Sequence, residues 1–278
     1  MKSYYYNDTI IKYESIGAGI PILFLHGWGM DRRIMSGSFE PVFEDRSLCY
    51  KRIYIDLPGM GNSVAGEGIK TSDDMLDLLY HFVSDVIGSG VILAGESYGG
   101  YLARGFVNQY RSMVKALILL CPLVYPGCRR GQVEPLCVME RDKKFLQTLT
   151  KEQYDSFTYM NVVLTRPVWK LYERDILPAI ELQDRHFLDH VLDGAFSFDV
   201  DELDAPFTRP CLILVGKQDT EVGYKDQFGL IRNYPNASYC ALNRAGHNLQ
   251  IEQPELFRSI VKNWLKDNER AMTECYDL

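Results

Sequence analysis

No C-x-x-C pair occurs among the seven cysteines of this 278-residue chain, which argues against a zinc ribbon or a thioredoxin-like redox motif. Their number is odd, and Cys121, Cys211 and Cys240 sit in or beside apolar runs, where a free thiol behaves as a small buried hydrophobe. No apolar run reaches the ~18 residues needed to span a bilayer. Lys and Arg number 30 against 37 Asp and Glu, a formal charge of −7, with no long basic run. Such a chain is poorly suited to coat phosphates or anionic lipid. The opening residues, Met1 to Asp8, lack the apolar core of a signal peptide. Internal repeats and low-complexity tracts are absent. These gaps lead to the expectation of a soluble, cytoplasmic protein with reduced thiols that handles a small molecule rather than nucleic acid or membrane. They leave its oligomeric state open. What is present is ordinary: 46% hydrophobic and 24% charged residues, enough for a large core without staples.

Short apolar runs alternate with amphipathic stretches, the pattern of an α/β sheet. Residues 4–16 read as two antiparallel edge strands. Pro21 to Leu25 is a continuous apolar run, as a strand buried on both faces requires. Comparable runs follow at Arg52–Ile55, Val91–Ala94, Ala116–Leu120, Cys211–Val215 and Ala237–Leu242. Over 71–87, Met75, Leu76, Leu79, Phe82 and Val83 recur at helical spacing behind Thr71, a suitable N-cap. Pro254 opens a terminal helix with Phe257, Ile260, Val261, Trp264 and Leu265 on one face. Between Pro122 and Pro206 the strand rhythm stops. That stretch, 122–206, reads as an inserted helical lid, with 1–121 and 207–278 forming the core. Its Phe145, Phe157, Tyr159, Trp169 and Phe187 are expected to wall an apolar pocket, although packing within the lid would use them equally well.

Gly95-Glu96-Ser97-Tyr98-Gly99 is the sharpest signal. It follows the strand at 91–94 and opens a helical run from Tyr98 to Tyr110, the context of a G-x-S-x-G nucleophile elbow. Glycines two residues either side let the serine occupy a strained strand-to-helix turn. Serine at its free pKa is a weak nucleophile until a histidine takes its proton. Of five histidines, His81 lies mid-helix. His186 and His190 are spaced for a metal, but His-Phe-Leu-Asp-His lacks a metalloprotease glutamate and a third ligand, so a plain helix face is expected. His247 is different. It follows Gly246 in a loop between the last strand and the terminal helix, where it can reach the sheet edge.

An acid is needed to orient that histidine. Asp219 stands just past the strand 211–215, at the edge where open parallel sheets collect their sites. Glu221 and Asp226 compete from further along. The order Ser97, Asp219, His247 is the one expected for this strand-and-helix architecture, not that of chymotrypsin or subtilisin. His26-Gly27-Trp28-Gly29 follows the strand 21–25, and a loop there supplies an oxyanion donor. The expected donors are the N–H groups of Trp28 and Tyr98, with His26 bracing its loop. Asp56 to Ser63 is glycine-rich but lacks G-x-G-x-x-G spacing and a following helix, and it reads as a turn. The chemistry calls for no metal or organic cofactor.

The motifs HGWG, DLPGMGNS, GESYGG, LVGKQD and GHNLQIEQPE, in that order, resemble those of the α/β-hydrolase fold superfamily, in its lid-bearing, carboxylesterase-like serine hydrolase form. The resemblance covers nearly the whole chain outside 122–206. It implies a mostly parallel, eight-stranded twisted sheet flanked by helices, and ester hydrolysis through an acyl-enzyme. C–C bond or amide hydrolysis with the same triad, or ligand binding without catalysis, remain alternatives. HGWG is similar to the oxyanion loop of small carboxylesterases, including pimeloyl-carrier-protein methyl ester esterases, and departs from the HGGPG of proline iminopeptidases. Ser97 stands where dehalogenases and epoxide hydrolases carry aspartate.

Overall fold

The computed structural model describes every residue except 46, 127–132, 134 and 274–278. Eight strands form one sheet: β1 (Lys2–Tyr6), β2 (Thr9–Ile16), β3 (Ile20–Leu25), β4 (Tyr50–Ile55), β5 (Val91–Glu96), β6 (Val114–Leu120), β7 (Cys211–Gly216) and β8 (Ala237–Leu242). Their spatial order is β1-β2-β4-β3-β5-β6-β7-β8. The β1–β2 and β2–β4 pairs are antiparallel, and the remaining pairs are parallel. All six expected apolar runs are therefore strands, five of them extended by a residue or two, and the two edge strands expected within 4–16 are β1 and β2.

Both faces of the sheet are covered, which explains the unbroken apolar runs. Side chains alternate across it. Ile22, Phe24, Ile92, Ala94 and Ile118 point to a core shared with helix α1 (Arg32–Phe39) and the terminal helix. Leu23, Leu25, Leu93 and Leu117 point to the opposite core, under α2 (Ser72–Phe82) and α3 (Tyr98–Tyr110). Thr71 caps α2 as expected, accepting the Asp74 N–H while the Asp74 carboxylate accepts the Thr71 N–H, and the helix continues to Ile87 as a π turn.

Between β6 and β7 lie helices α4 (Lys143–Leu146), α5 (Lys151–Thr158), α6 (Arg166–Asp175), α7 (Leu177–Leu182) and α8 (Arg185–His190). The segment is not purely helical. Two-residue strands, Glu140–Arg141 and Val163–Leu164, pair in parallel, too short to show as a pattern in the sequence. Helix α9 (Pro254–Thr273) begins at the proline and closes the fold. No helix among the described residues is long and apolar enough to cross a membrane.

The sheet register brings the site together. Leu25 pairs with Gly95, Glu96 with Leu120, Leu120 with Leu214 and Leu242 with Gly216. Whatever follows β3, β5, β7 and β8 is thus delivered to one edge.

Candidate active site

Ser97 follows β5 and precedes α3 with φ of +51°, a conformation costly for a side chain other than glycine. The turn is held from both sides. Ser97 donates its N–H to the Leu120 carbonyl (2.9 Å), and its own carbonyl accepts from Gly100, Tyr101 and Leu123. The flanking glycines are steric requirements. A Cβ on Gly95 would stand 2.3 Å from the Gly99 carbonyl oxygen, and one on Gly99 would stand 2.2 Å from that of Leu25.

Asp219 and His247 meet across this edge. The His247 Nδ1 to Asp219 Oδ2 distance is 2.8 Å, and both side chains are buried. The other Asp219 oxygen accepts the N–H groups of Glu221 (2.8 Å) and Val222 (3.0 Å), which fixes the carboxylate plane. Nδ1 therefore carries the proton, and Nε2 is left as the basic nitrogen. Burial works against an imidazolium. The Asp219 carboxylate outweighs it by charge and hydrogen bond, with Glu96 and Glu221 adding to it, and the His247 pKa rises to about 9. No hydrogen bond joins Ser97 Oγ to His247 in this conformation among the described residues. Both line one cavity of about 750 Å³.

Trp28 and Tyr98 face each other beside the serine, their rings 5.1 Å apart and edge to face. Among the described residues no backbone acceptor engages the N–H of either, so both amides are open to a ligand oxygen. The Tyr98 phenol is committed elsewhere, in a buried hydrogen bond with Ser72 Oγ (2.8 Å), and burial raises its pKa. His26 is fully buried. Its Nε2 accepts the Leu57 N–H (2.9 Å), so Nδ1 donates to the Gly27 carbonyl (2.8 Å), and burial holds its pKa down. It braces the loop, as expected. The Asp56–Ser63 turn is structural too: Asp56 accepts the N–H groups of Arg32 and Asn62 and pairs with the Arg32 guanidinium.

The remaining candidates lie elsewhere or do something else. Glu221 lines the cavity, and Asp226 sits on the turn Lys225–Phe228. His186 and His190 are exposed on α8, rings 5.4 Å apart, with no third ligand among the described residues. Cys121 Sγ does lie within 4.8 Å of the Asp219 and His247 ligand atoms, but those two are already bonded to each other.

The expected pocket wall needs correction. Of the five aromatics, Tyr159 alone lines the cavity. Phe145, Phe157 and Trp169 pack against one another, edge to face at Phe157, inside the inserted segment, and Phe187 packs over Gly59 of the turn. Aromatic content does not reveal which side of a helix faces a cavity. The wall is built instead from Met30, Ile34, Leu123, Tyr172, Ile176 and Ile180, among others.

Sequence reasoning passed over two carboxyls. Glu96 is the variable residue of the elbow motif, yet its buried carboxyl lies 3.8 Å (Oε1) from His247 Nε2. Burial raises its pKa, with the His247 charge and the Gly27 amide opposing. Glu252 is buried five residues past His247. Its Oε1 accepts the N–H groups of Val162 (2.5 Å) and Val163 (3.2 Å), and its Oε2 accepts that of Gly246 (2.5 Å). Burial pushes its pKa up to about 7 against those three donors.

The model of the alpha/beta hydrolase family matches residues 22–260. Among solved structures, an alpha/beta superfamily hydrolase from Oenococcus oeni PSU-1 is 31% identical, with TM-score 0.85, over 97% of this chain and 100% of its own. A pimeloyl-[acyl-carrier protein] methyl ester esterase of Legionella pneumophila is 24% identical over 92% of this chain and 99% of its own. A 2-hydroxy-6-oxononadienedioate/2-hydroxy-6-oxononatrienedioate hydrolase of Burkholderia vietnamiensis is 26% identical over 94% and 90%.

Proposed function

The chain belongs to the alpha/beta hydrolase family, and from that premise we propose that Ser97, His247 and Asp219 hydrolyse an ester, or a related carbonyl compound, through an acyl-enzyme. The observation that carries the reading is the buried 2.8 Å bond from His247 to Asp219 at the cavity that also holds the strained Ser97. His247 Nε2 takes the Ser97 proton as Oγ attacks the carbonyl carbon. Asp219 keeps the imidazole in the required tautomer and stabilises its cation. The N–H groups of Trp28 and Tyr98 receive the oxyanion. His247 then protonates the leaving alcohol, and water releases the acid by the same steps in reverse order.

The segment 122–206 acts as the lid of this cavity, to which it contributes Tyr159, Tyr172, Ile176 and Ile180. Five free cysteines among the described residues fit a reducing cytoplasm. A small-molecule ester fits the cavity's size. The similarity to the Burkholderia relative, over nearly the whole chain, supports C–C bond hydrolysis of an oxo acid as the second reading, with the same three groups.

Turnover of p-nitrophenyl acetate and butyrate by the native protein and by Ser97→Ala tests the proposal. The native protein should cleave both and react with a fluorophosphonate probe at Ser97. Labelling or turnover that survives Ser97→Ala removes the assignment. Comparison with vinylogous 1,5-diketone acids and with amides separates the two readings.

A further inference from the structure

Ser97 and Asp219 stand on separate elements, yet attack assisted by His247 requires the three groups to keep one geometry. Asp219 holds its own turn from inside, where Oδ1 accepts the N–H groups of Glu221 and Val222. Those bonds fix the carboxylate within its turn, not the turn against Ser97. Gln227, in the following turn Lys225–Phe228, supplies a hold from outside. Its side chain is fully buried. Nε2 donates to the Val222 carbonyl (2.8 Å) and to the Pro122 carbonyl (3.1 Å). A carbonyl oxygen only accepts, so the atom between the two is the amide nitrogen. No hydrogen-bond partner among the described residues reaches Oε1, and Gln227 therefore serves here as a donor alone.

The two carbonyls belong to the supports of the acid and of the nucleophile. Val222 is the residue whose N–H bonds Asp219, and it also lines the cavity. Pro122 lies in the stretch wrapped around the elbow. Before it, Leu120 accepts the Ser97 N–H (2.9 Å), and after it, Leu123 donates to the Ser97 carbonyl (3.0 Å). Between these two, Cys121 donates to Leu214 of β7 (2.8 Å). Pro122 also sits close against the nucleophile helix, where a Cβ on Gly100 would stand 2.9 Å from the proline Cβ. The Pro122 end of the amide is thus anchored on the elbow, and its other end grips the acid turn.

We infer that Gln227 is a positioning residue of the triad: anchored on Pro122, it holds Val222, and through Val222 the Asp219 carboxylate, in register with His247 and Ser97. This rests on the hydrolase reading of those three residues and adds a fourth that acts through the acid. Gln227 exchanges no proton with the substrate. Without its two donors the Pro122 and Val222 carbonyls are left unpaired, and the acid turn loses its tie to the elbow. A displacement of about 1 Å arising away from the chemistry can cost on the order of 10²-fold in rate.

Gln227→Met keeps similar bulk and removes both donors. On p-nitrophenyl butyrate its kcat should fall roughly 10–100-fold, while KM changes less than about threefold. The 1H resonance of the proton on His247 Nδ1, which a carboxylate partner moves far downfield, should broaden or vanish. In an Asp219→Asn background the same substitution should cost less than about twofold, because the contact it works through is already gone. A folded Gln227→Met protein with native kcat and an intact resonance overturns the inference, whatever its Tm, and leaves the amide a partner for two carbonyls and nothing more. So does a loss of equal size with and without the Asp219 carboxylate. A native protein that neither cleaves the ester nor is labelled by fluorophosphonate at Ser97 removes the hydrolase reading, and this inference with it. Should Gln227→Met not fold, Gln227→Glu replaces it, since a buried neutral carboxyl donates once where the amide donates twice. Its kcat should fall about tenfold with the resonance displaced, and native values of both count against the proposal.

Discussion

Asp219 divides its carboxylate between the histidine and the chain. One oxygen bonds Nδ1, and the other accepts the N–H groups of Glu221 and Val222, so the carboxylate plane is held in place. Asp219→Asn should lower kcat by roughly 10³–10⁴-fold, because an amide favours the wrong imidazole tautomer. Glu221→Gln, which leaves that bond intact, should cost less than about tenfold. Steady-state kinetics on p-nitrophenyl butyrate decides, and reversal of the two effects would place the acid at Glu221. The same pair sets the pH response. With the imidazolium held above its ordinary range, Nε2 is protonated and unable to accept a proton until the pH is alkaline. The acid limb of kcat/KM should therefore rise about tenfold per pH unit and level off well above 6.5, towards 9. A limb centred at 6.5 or below would mean that Asp219 does not raise the basicity of His247.

Among the elements, the elbow and the strands were legible because steric and burial demands write directly into residue type. A strand covered on both faces must be apolar throughout, and a turn in which a Cβ on residue 95 would stand 2.3 Å from a carbonyl oxygen must have glycine there. The loop histidine and the acid past β7 were legible from their places at strand ends. Glu96 and Glu252 were not. Glu96 occupies the position that the motif leaves free, and nothing local announces that its carboxyl turns towards Gly27. The role of Glu252 depends on Val162 and Val163, ninety residues earlier in the chain for its nearest contact, meeting the His247 loop in space. That carboxyl and the bond from Asn248 Nδ2 to Asn161 Oδ1 (3.0 Å) tie the inserted segment to the histidine loop. Glu252→Gln turns an amide donor towards Val162 or Gly246 and leaves a buried N–H unpaired. The cost should be about 1–3 kcal/mol, or a Tm lower by several degrees. Because Gly246 precedes His247, kcat should fall more than KM rises. A stable variant with native kcat would reduce Glu252 to a bystander.

Across the whole molecule, the inserted segment is fastened at separated points rather than hung from one hinge. Phe187 seats on Gly59, the backbones of Asp193 and of Lys70 and Ser72 exchange hydrogen bonds, and Arg174 donates to the Gly37 carbonyl. A further fastening is Arg104, on α3 behind the nucleophile. Its guanidinium is fully buried and forks onto Asp201 (3.0 and 2.7 Å), near the end of the segment, while also donating to the Leu123 carbonyl near its beginning. One side chain thus gathers both ends of the insertion onto the helix that starts at Ser97, and Leu123 is itself part of the cavity wall. Arg104→Met keeps much of the apolar bulk and removes every donor, stranding the Asp201 carboxylate and the carbonyl. Breaking a buried pair from one side costs about 3–5 kcal/mol, less here in proportion to the partial exposure of Asp201. The loss should concentrate in the insertion, because the guanidinium spends its hydrogen bonds on Asp201 and Leu123. Limited proteolysis should then cut within 122–206 faster than in the native protein. KM should rise for long-chain esters while Ser97 is labelled by fluorophosphonate at close to the native rate. Equal loss of labelling and of resistance to proteolysis would show instead that Arg104 holds the elbow itself, and that the insertion is secured by its other contacts.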